Sequence, residues 1–365
     1  MLNFAPTEEQ EEIRHLAHSL AVEQLRPQGR SSEKRGDISD ALMQTLVQTG
    51  LTTPFSEDYG GSGAIEALTY ALIAEELGFG DAALATNIIG SMMGPLTVAL
   101  AGSDRQKEQY LYPFSDARQG YSARGSVAFA ERTGGFTTDE ISATARSEGE
   151  NYLINGTKRD VIHGAQSNLR VVLLRIENTI KTDALCAFVL PENVDGVRIS
   201  SEVQKLGLIA APSASYTFVN AIVPSTALLG EPGNDGALRA ATLYNILRAG
   251  IACGVARASL HYCSEYAEGR IAFGRPIVSY QGIAFIIAEM AMKLDAARLL
   301  LWNAAANWDL AVDLDTLMRD AAAAQQQAIK IAKLATIDAV QVMGGAGFMQ
   351  DHPVEMWMRD AAAME

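Results

Sequence analysis

The chain has 365 residues, of which 48% are hydrophobic and 20% charged, and a formal net charge of −14. That length suffices for two or three packed units with sizeable cores, the composition is ordinary for a globular protein, and so acidic a balance argues against a nucleic-acid surface and against adhesion to anionic membranes. The N-terminal stretch MLNFAPTEEQEEIRHLAHSL has no apolar signal region, no run of about 18 apolar residues appears, and Cys186, Cys253 and Cys263 have no metal-like spacing and read as reduced thiols, so the expected location is the cytoplasm with no membrane span.

Thr7, followed by Glu8, Glu9 and Gln10, reads as a helix start: a capping hydroxyl, then acids in the first turn. The helix continues with Ile13, Leu16, Ala17 and Leu20 on one face. His15 and His18 lie on it three apart, but no third ligand stands nearby, and no metal site is expected. The next helix spans 40–49 and stops at Gly50. The glycine-rich loop from Pro54 to Gly63 follows no strand and precedes no Lys-Ser/Thr, which argues against a Walker phosphate loop. Helices follow over 67–78 and 83–101, and a short one over 107–113 closes an all-helical unit near residue 120.

From 125 to 229 the apolar residues alternate or come in short β-branched runs: 126–130, 141–146, 152–154, 171–174, 184–190, 197–199 and 216–219. Turns at Asn155-Gly156, Asp195-Gly196 and Pro212-Ser213 punctuate them, which predicts a small antiparallel barrel or sandwich. Residues 150–158 read as two strands joined at the Asn155-Gly156 turn. After Glu231-Pro232-Gly233, alanine-rich helices return over 236–267, 281–310, 316–343 and 353–363. Several are apolar on more than one face, as expected when four helices share a core and also meet another subunit. The expected fold is α+β and multidomain: a helical domain over 1–120, a β domain over 121–232 and a four-helix bundle over 233–365.

Two stretches of the last domain carry chemistry. Arg270-Ile-Ala-Phe273-Gly274-Arg275-Pro276 precedes Gln281 and a long apolar helix. Its proline marks a turn between two helices, and cations and amide donors beside a helix start suit an anion such as a pyrophosphate. Such an Arg-Gly turn alone also fits a solvated corner. Near the end, Gln341-Val-Met-Gly344-Gly345-Ala-Gly347-Phe348 places a glycine cluster straight after an apolar helix, where another backbone or a ligand comes close. Asp351-His-Pro353 and Arg359-Asp360-Ala361 follow.

The two stretches, in this order and at this separation, resemble the C-terminal domain of the acyl-CoA dehydrogenase family of flavoproteins. The resemblance runs through almost the whole chain, and the Pro54–Gly63 loop is similar to the family's P-x-x-Y-G-G loop. In that family an R-x-x-F-G segment and a Q-x-x-G-G-x-G-F segment hold the adenine and pyrophosphate end of FAD, the second coming from a neighbouring subunit. The resemblance thus implies FAD contacts from Arg270, Phe273 and Gln281 and from Gln341, Gly344 and Gly345, with Arg270 meeting the pyrophosphate through its fork.

Family members hold the flavin ring with T-E-P-G-x-G-S-D and W-x-[ST] segments. Here these read Ala130-Glu131-Arg132-Thr133-Gly134-Gly135-Phe136-Thr137 and Asp160-Val161-Ile162. Backbone contacts from Phe129, Ala130, Val161 and Ile162 are expected to survive, whereas the threonine hydroxyl and the covering tryptophan are lost. Asp160 either stands beside the flavin or turns to solvent. By the same resemblance Arg248 faces the acyl-CoA slot and Tyr244, one turn earlier, touches the pantetheine; the alternative for Arg248 is a partner at a subunit contact. His163 is expected to be a hydrogen-bonded loop residue.

The family's usual base is a glutamate just after the R-D-A segment, a position that counts out past Glu365, itself out of register. A second variant keeps a glutamate before the bundle's arginine, where this chain has Leu247. The catalytic base is therefore unassigned. The resemblance implies an FAD-dependent oxidoreductase that introduces an α,β double bond into an acyl-CoA thioester. Electrons leave to an electron-transfer flavoprotein, and the assembly is a homodimer or homotetramer. The departures point to a rival, a non-catalytic or flavin-binding partner subunit of a hetero-oligomeric acyl-CoA dehydrogenase. A flavin oxidase or monooxygenase on the same scaffold is a third reading.

Overall fold

The structure, a computed structural model, describes residues 6–116, 119–131, 141–177 and 185–365. The helix start at Thr7 is a capping box: the Gln10 N–H donates to the Thr7 hydroxyl (3.2 Å) and the Thr7 N–H to the Gln10 side-chain oxygen (3.0 Å). Helix α1 (Glu8–Leu20) widens into a π turn over Ala21–Leu25 and continues as α2 (Arg26–Arg35). No sequence signal announces α2, whose RPQGRSSEKR carries a proline, a glycine and no apolar stripe. It is held from across the chain: Arg30 pairs with Glu355, and Glu33 with Arg359.

Helix α3 (Asp40–Gln48) is capped by Ser39, and α4 (Ala67–Gly80) and α5 (Ala82–Ala101) form the buried centre of the first domain. By length and composition α5 could cross a membrane, contrary to the expectation that no such stretch exists, but 83% of that window is buried in the fold. Its uncharged sequence serves a core helix packed on all sides. Helix α6 (Asp104–Ser115) ends this part. His18 does not pair with His15; its Nδ1 lies 2.8 Å from the Glu76 carboxylate.

The middle of the chain is a curled sheet of β1 (Gly125–Ala128), β2 (Thr144–Glu148), β3 (Asn151–Ile162), β4 (Leu169–Ile176), β5 (Leu185–Leu190), β6 (Val197–Ile199) and β7 (Ser213–Pro224). The order is β1-β4-β2-β3-β7-β6, with β5 also on β4. Most pairs are antiparallel, as expected, but β1–β4 and β2–β4 are parallel.

The expected turn at Asn155-Gly156 is a correction: β3 runs straight through it. Gly156 forms a bulge, where the register against β7 shifts between Ile154 and Gly156 and φ is 132°. A Cβ there would stand 2.5 Å from that of Ala143. The Asn155 side-chain oxygen accepts from the Asn220 N–H (2.8 Å), tying β7 to the bulge. A second irregularity, between Lys158 and Val161, lifts Arg159 and Asp160 out of the ladder.

Helices α7 (Gly236–Gly269), α8 (Gln281–Asp309), α9 (Leu314–Met343) and α10 (Val354–Ala363) make the bundle. Helix α7 is its axis and packs on α4, α5, α8 and α9. Buried charges join it to the first domain: Arg257 reaches Glu75 at 3.2 Å, and Arg298 of α8 reaches the same carboxylate at 2.8 Å. Between α7 and α8 lies a ribbon, β8 (Ile271–Ala272) and β9 (Arg275–Pro276), turned at Phe273-Gly274 with φ of 52° and 87°. That turn leaves the Phe273 side chain 97% exposed. Cys186, Cys253 and Cys263 are all buried and free.

Candidate active site between the sheet and the bundle

A cavity of about 520 Å³ opens where the sheet meets the bundle. Val127, Phe129, Ala130, Arg159, Asp160, Ile162 and Ser213 form the sheet wall, and Tyr244, Arg248 and Ile329 with Arg359 and residues 362–365 form the bundle wall. The third side is the loop 203–208.

The sheet wall is stitched together. The Arg159 N–H donates to the Ala130 carbonyl (2.9 Å), and the Lys158 ammonium donates to the Phe129 carbonyl (3.2 Å) and the Glu131 carboxylate (2.8 Å). Lys158 is 0% exposed. Burial draws its pKa down to about 8 against the opposing pull of Glu131. Burial also works against ionised Glu131, but Lys158, Ser142 and Ala143 outweigh it and hold that carboxyl below its usual range. Glu131 accepts from the Ser142 N–H (2.8 Å) and the Ala143 N–H (2.9 Å), which fixes the chain entering β2.

The loop wall is pinned by α10. Asp360 accepts from the Leu208 N–H (2.6 Å) and Arg359 donates to the Leu206 carbonyl (2.6 Å). Gly207 lies so close that a Cβ would stand 1.9 Å from the Arg359 carbonyl oxygen. Burial, then the nearby Asp81, push the Asp360 carboxyl up to about 8. Lys205, in the loop, is drawn down to about 8 by burial against the carboxylates of Asp160, Asp360 and Glu202.

On the bundle side the Phe129 and Tyr244 rings stand 6.3 Å apart, and the Arg248 guanidinium lies 5.9 Å from the Tyr244 ring. Burial raises the Tyr244 hydroxyl pKa, with Arg248 opposing. Arg248 donates to the Met364 carbonyl (2.7 Å). The Glu365 carboxylate borders the cavity but is engaged by Lys333.

The two placements of Asp160 meet in one position: it lines the cavity and is also exposed to solvent, at a φ of 52°. Phe129, Ala130, Ile162, Tyr244 and Arg248 meet there too, whereas the Val161 side chain packs inside the curled sheet. His163 is buried, 3.0 Å from the Asn87 carbonyl, and burial lowers its pKa to about 4. Ser213, expected at a turn after Pro212, instead opens strand β7. It is 2% exposed, faces the cavity beside its β3 partner Ile162, and its hydroxyl has no hydrogen-bond partner. A buried hydroxyl so placed calls for a polar group in the cavity. Arg132 to Thr137, named as a flavin-ring segment, lie outside the described residues.

Arg270, Phe273, Gln281, Gln341, Gly344 and Gly345 do not line this cavity and are exposed. The short connections α7–α8 and α8–α9 bring all six to one end of the bundle. There a Cβ on Gly344 or Gly345 would meet nothing within 4 Å, so the backbone stands open to an approaching group.

Comparison with known proteins agrees across the chain. Family models described as the N-terminal, middle and C-terminal domains of acyl-CoA dehydrogenase match residues 7–117, 126–221 and 234–365. An acyl-CoA dehydrogenase of Bacillus subtilis is 31% identical over 360 residues, covering 97% of this chain and 93% of its own. The mitochondrial short-chain specific acyl-CoA dehydrogenase of Rattus norvegicus is 30% identical, with 97% and 85% covered. Among solved structures, butyryl-CoA dehydrogenase from Megasphaera elsdenii is similar with a TM-score of 0.84 at 28% identity, covering 100% of this chain and 95% of that one.

Proposed function

We propose that this chain, which belongs to the acyl-CoA dehydrogenase family of FAD-dependent oxidoreductases, introduces an α,β double bond into an acyl-CoA thioester. The observation that carries the reading is the cavity itself, walled by a sheet segment and by the bundle in a chain whose three domains all match that family. The residues fit the cofactor: the orphaned Ser213 hydroxyl inside the cavity suits a heteroatom of a flavin ring, over the bed of Phe129, Ala130 and Ile162. Val161 contributes only backbone.

Arg270, Phe273 and Gln281 of one chain and Gln341, Gly344 and Gly345 of another take the dinucleotide end, the open glycine backbone allowing close approach. When bound, FAD supplies the hydride acceptor. The chain's own residues do the rest. Phe129 and Ile162 exclude water, Tyr244 and Arg248 orient the thioester, and Asp360 keeps the loop 203–208 closed over the cavity through Leu208.

Exposed Phe285, Met292 and Leu299 recur every two turns on one face of α8, and Phe273 projects nearby. A homodimer or homotetramer covers that face. Electrons leave to an electron-transfer flavoprotein, and the free thiols suit the cytoplasm.

The test is a visible absorption spectrum of the purified protein, then anaerobic titration with straight-chain acyl-CoA thioesters. A flavin spectrum that bleaches with a thioester is expected; protein that neither carries nor takes up FAD overturns the reading. One observation favours the partner-subunit alternative: a carboxylate, Asp160, stands in the cavity wall where the family carries a tryptophan. Exchange of the thioester α-proton by the isolated chain dismisses that alternative.

A further inference from the structure

We propose that Asp160 sets the reduction potential of the flavin, holding it low enough that electrons taken from the substrate pass on to the acceptor. The inference rests on the reading that this cavity receives the flavin ring. Asp160 stands on the irregular step between Lys158 and Val161 that lifts it and Arg159 out of the ladder. At a φ of 52° it lines the cavity and is also exposed to solvent, so it carries its charge without a burial penalty. Among the described residues its carboxylate accepts no hydrogen bond and joins no ion pair.

The other charges lining the cavity are Arg159, Lys205, Arg248, Arg359 and Glu365. Arg359 is spent on Glu33 and Glu355, and Glu365 on Lys333. Lys205 donates to the Ala211 carbonyl and Arg248 to the Met364 carbonyl. Arg159, Lys205 and Arg248 meet no carboxylate at ion-pairing distance among the described residues. Asp160 is thus the unengaged anion that faces three cations. Its charge is felt on both opposite walls. Burial lowers the pKa of Lys205, in the loop, and Asp160 opposes that fall; burial raises that of Tyr244, on the bundle, and Asp160 adds to the rise. A ring lying between those walls sits in the same field.

Desaturation sends a hydride from the β-carbon of the thioester to the ring as the α-carbon gives up its proton, and the ring, neutral when oxidised, gains one negative charge. Three cations around that charge would hold the electrons in place. A carboxylate in the same wall raises the energy of the charged, reduced form and leaves the neutral, oxidised form almost untouched, so the potential falls. Solvent at Asp160 screens the effect and keeps it modest.

The test is the midpoint potential of the FAD-loaded protein without thioester, measured by reductive titration against a reference dye. Asparagine tolerates the same left-handed backbone as aspartate and deletes the charge. D160N is expected to raise the potential by at least about 15 mV, a roughly threefold gain in the ratio of reduced to oxidised flavin for two electrons. The gap between the two proteins should narrow in about 1 M salt. A smaller rise, a fall, or a gap that salt leaves unchanged overturns the proposal; the last assigns the change to backbone structure. Should D160N not hold FAD, D160G, which also suits that backbone, is read by the same criteria. If neither variant holds FAD, Asp160 is structural and the proposal falls. Wild type that takes up no FAD defeats the flavin reading as well, whereas equal potentials in wild type and D160N defeat only this proposal.

Discussion

Replacing Glu131 by Gln tests how the sheet wall of the cavity is held. Lys158 is fully buried, and its ammonium is paired with Glu131 at 2.8 Å. With that partner present its pKa is already about 8, so at pH 7 stripping its proton costs only between about 1 and 2 kcal/mol. This caps the charge part of the loss, because the variant escapes an unpaired buried charge by releasing the proton. The amide also turns an NH2 toward the Ser142 and Ala143 donors at 2.8 and 2.9 Å. One or two of these bonds fail, at roughly 1 kcal/mol each. The expected loss at pH 7 is about 2–4 kcal/mol, within reach of the roughly 3–5 kcal/mol typical of a broken buried pair.

The pH dependence discriminates further. The folded pKa of Lys158 lies below its unfolded value of 10.5, so the burial penalty is fully present below about 8 and fades as pH rises toward 10.5. Above about pH 9 wild-type Lys158 is mostly neutral, and only the lost hydrogen bonds should separate the two proteins, by about 1–2 kcal/mol. Urea unfolding followed by circular dichroism at pH 7 and pH 9, at fixed flavin loading, measures both. A loss under about 1 kcal/mol, or the same loss at both pH values, refutes the reasoning.

Phe273→Asp should change the stability of the isolated chain by under about 0.5 kcal/mol, since the ring is solvent-exposed, yet lower the mass seen by light scattering and the flavin retained on gel filtration. Gly207→Ala places a Cβ 1.9 Å from the Arg359 carbonyl oxygen and must displace the loop; a loss of roughly 1–3 kcal/mol in thermal unfolding, with weakened thioester binding, is expected. Asp360 has a folded pKa of about 8 against 3.8 unfolded, so its contribution to stability declines as pH rises from about 4 to about 8. Asp360→Asn keeps an acceptor for the Leu208 N–H and should flatten that decline, as melting curves at pH 5 and pH 8 will show.

Long periodic segments were legible because helix α7, α8 and α9 repeat their apolar residues over many turns, so the bundle and the paired motifs at its end stand out. Asn155-Gly156 misled because a dipeptide that makes a tight turn also makes a bulge, and only the pairing with β7 separates them. Helix α2 was invisible because its support is Glu355 and Arg359, more than three hundred residues away. The cavity wall was half visible. Phe129, Ala130, Ile162, Tyr244 and Arg248 stand out in the sequence, but Ser213 and the loop 203–208 carry no periodicity: the pairing of β7 with Ile162 places Ser213, and the grip of Arg359 and Asp360 places the loop.

The ribbon that lifts Phe273 from the tip of α7 has a bearing on how the protein behaves at low concentration. If that aromatic and the open Gly344-Gly345 backbone are completed only by a second copy, cofactor retention is a mass-action quantity shared by two molecules. Diluting the holoprotein should then bleed flavin into solution along the same curve on which the assembly falls apart, and adding apoprotein should draw it back.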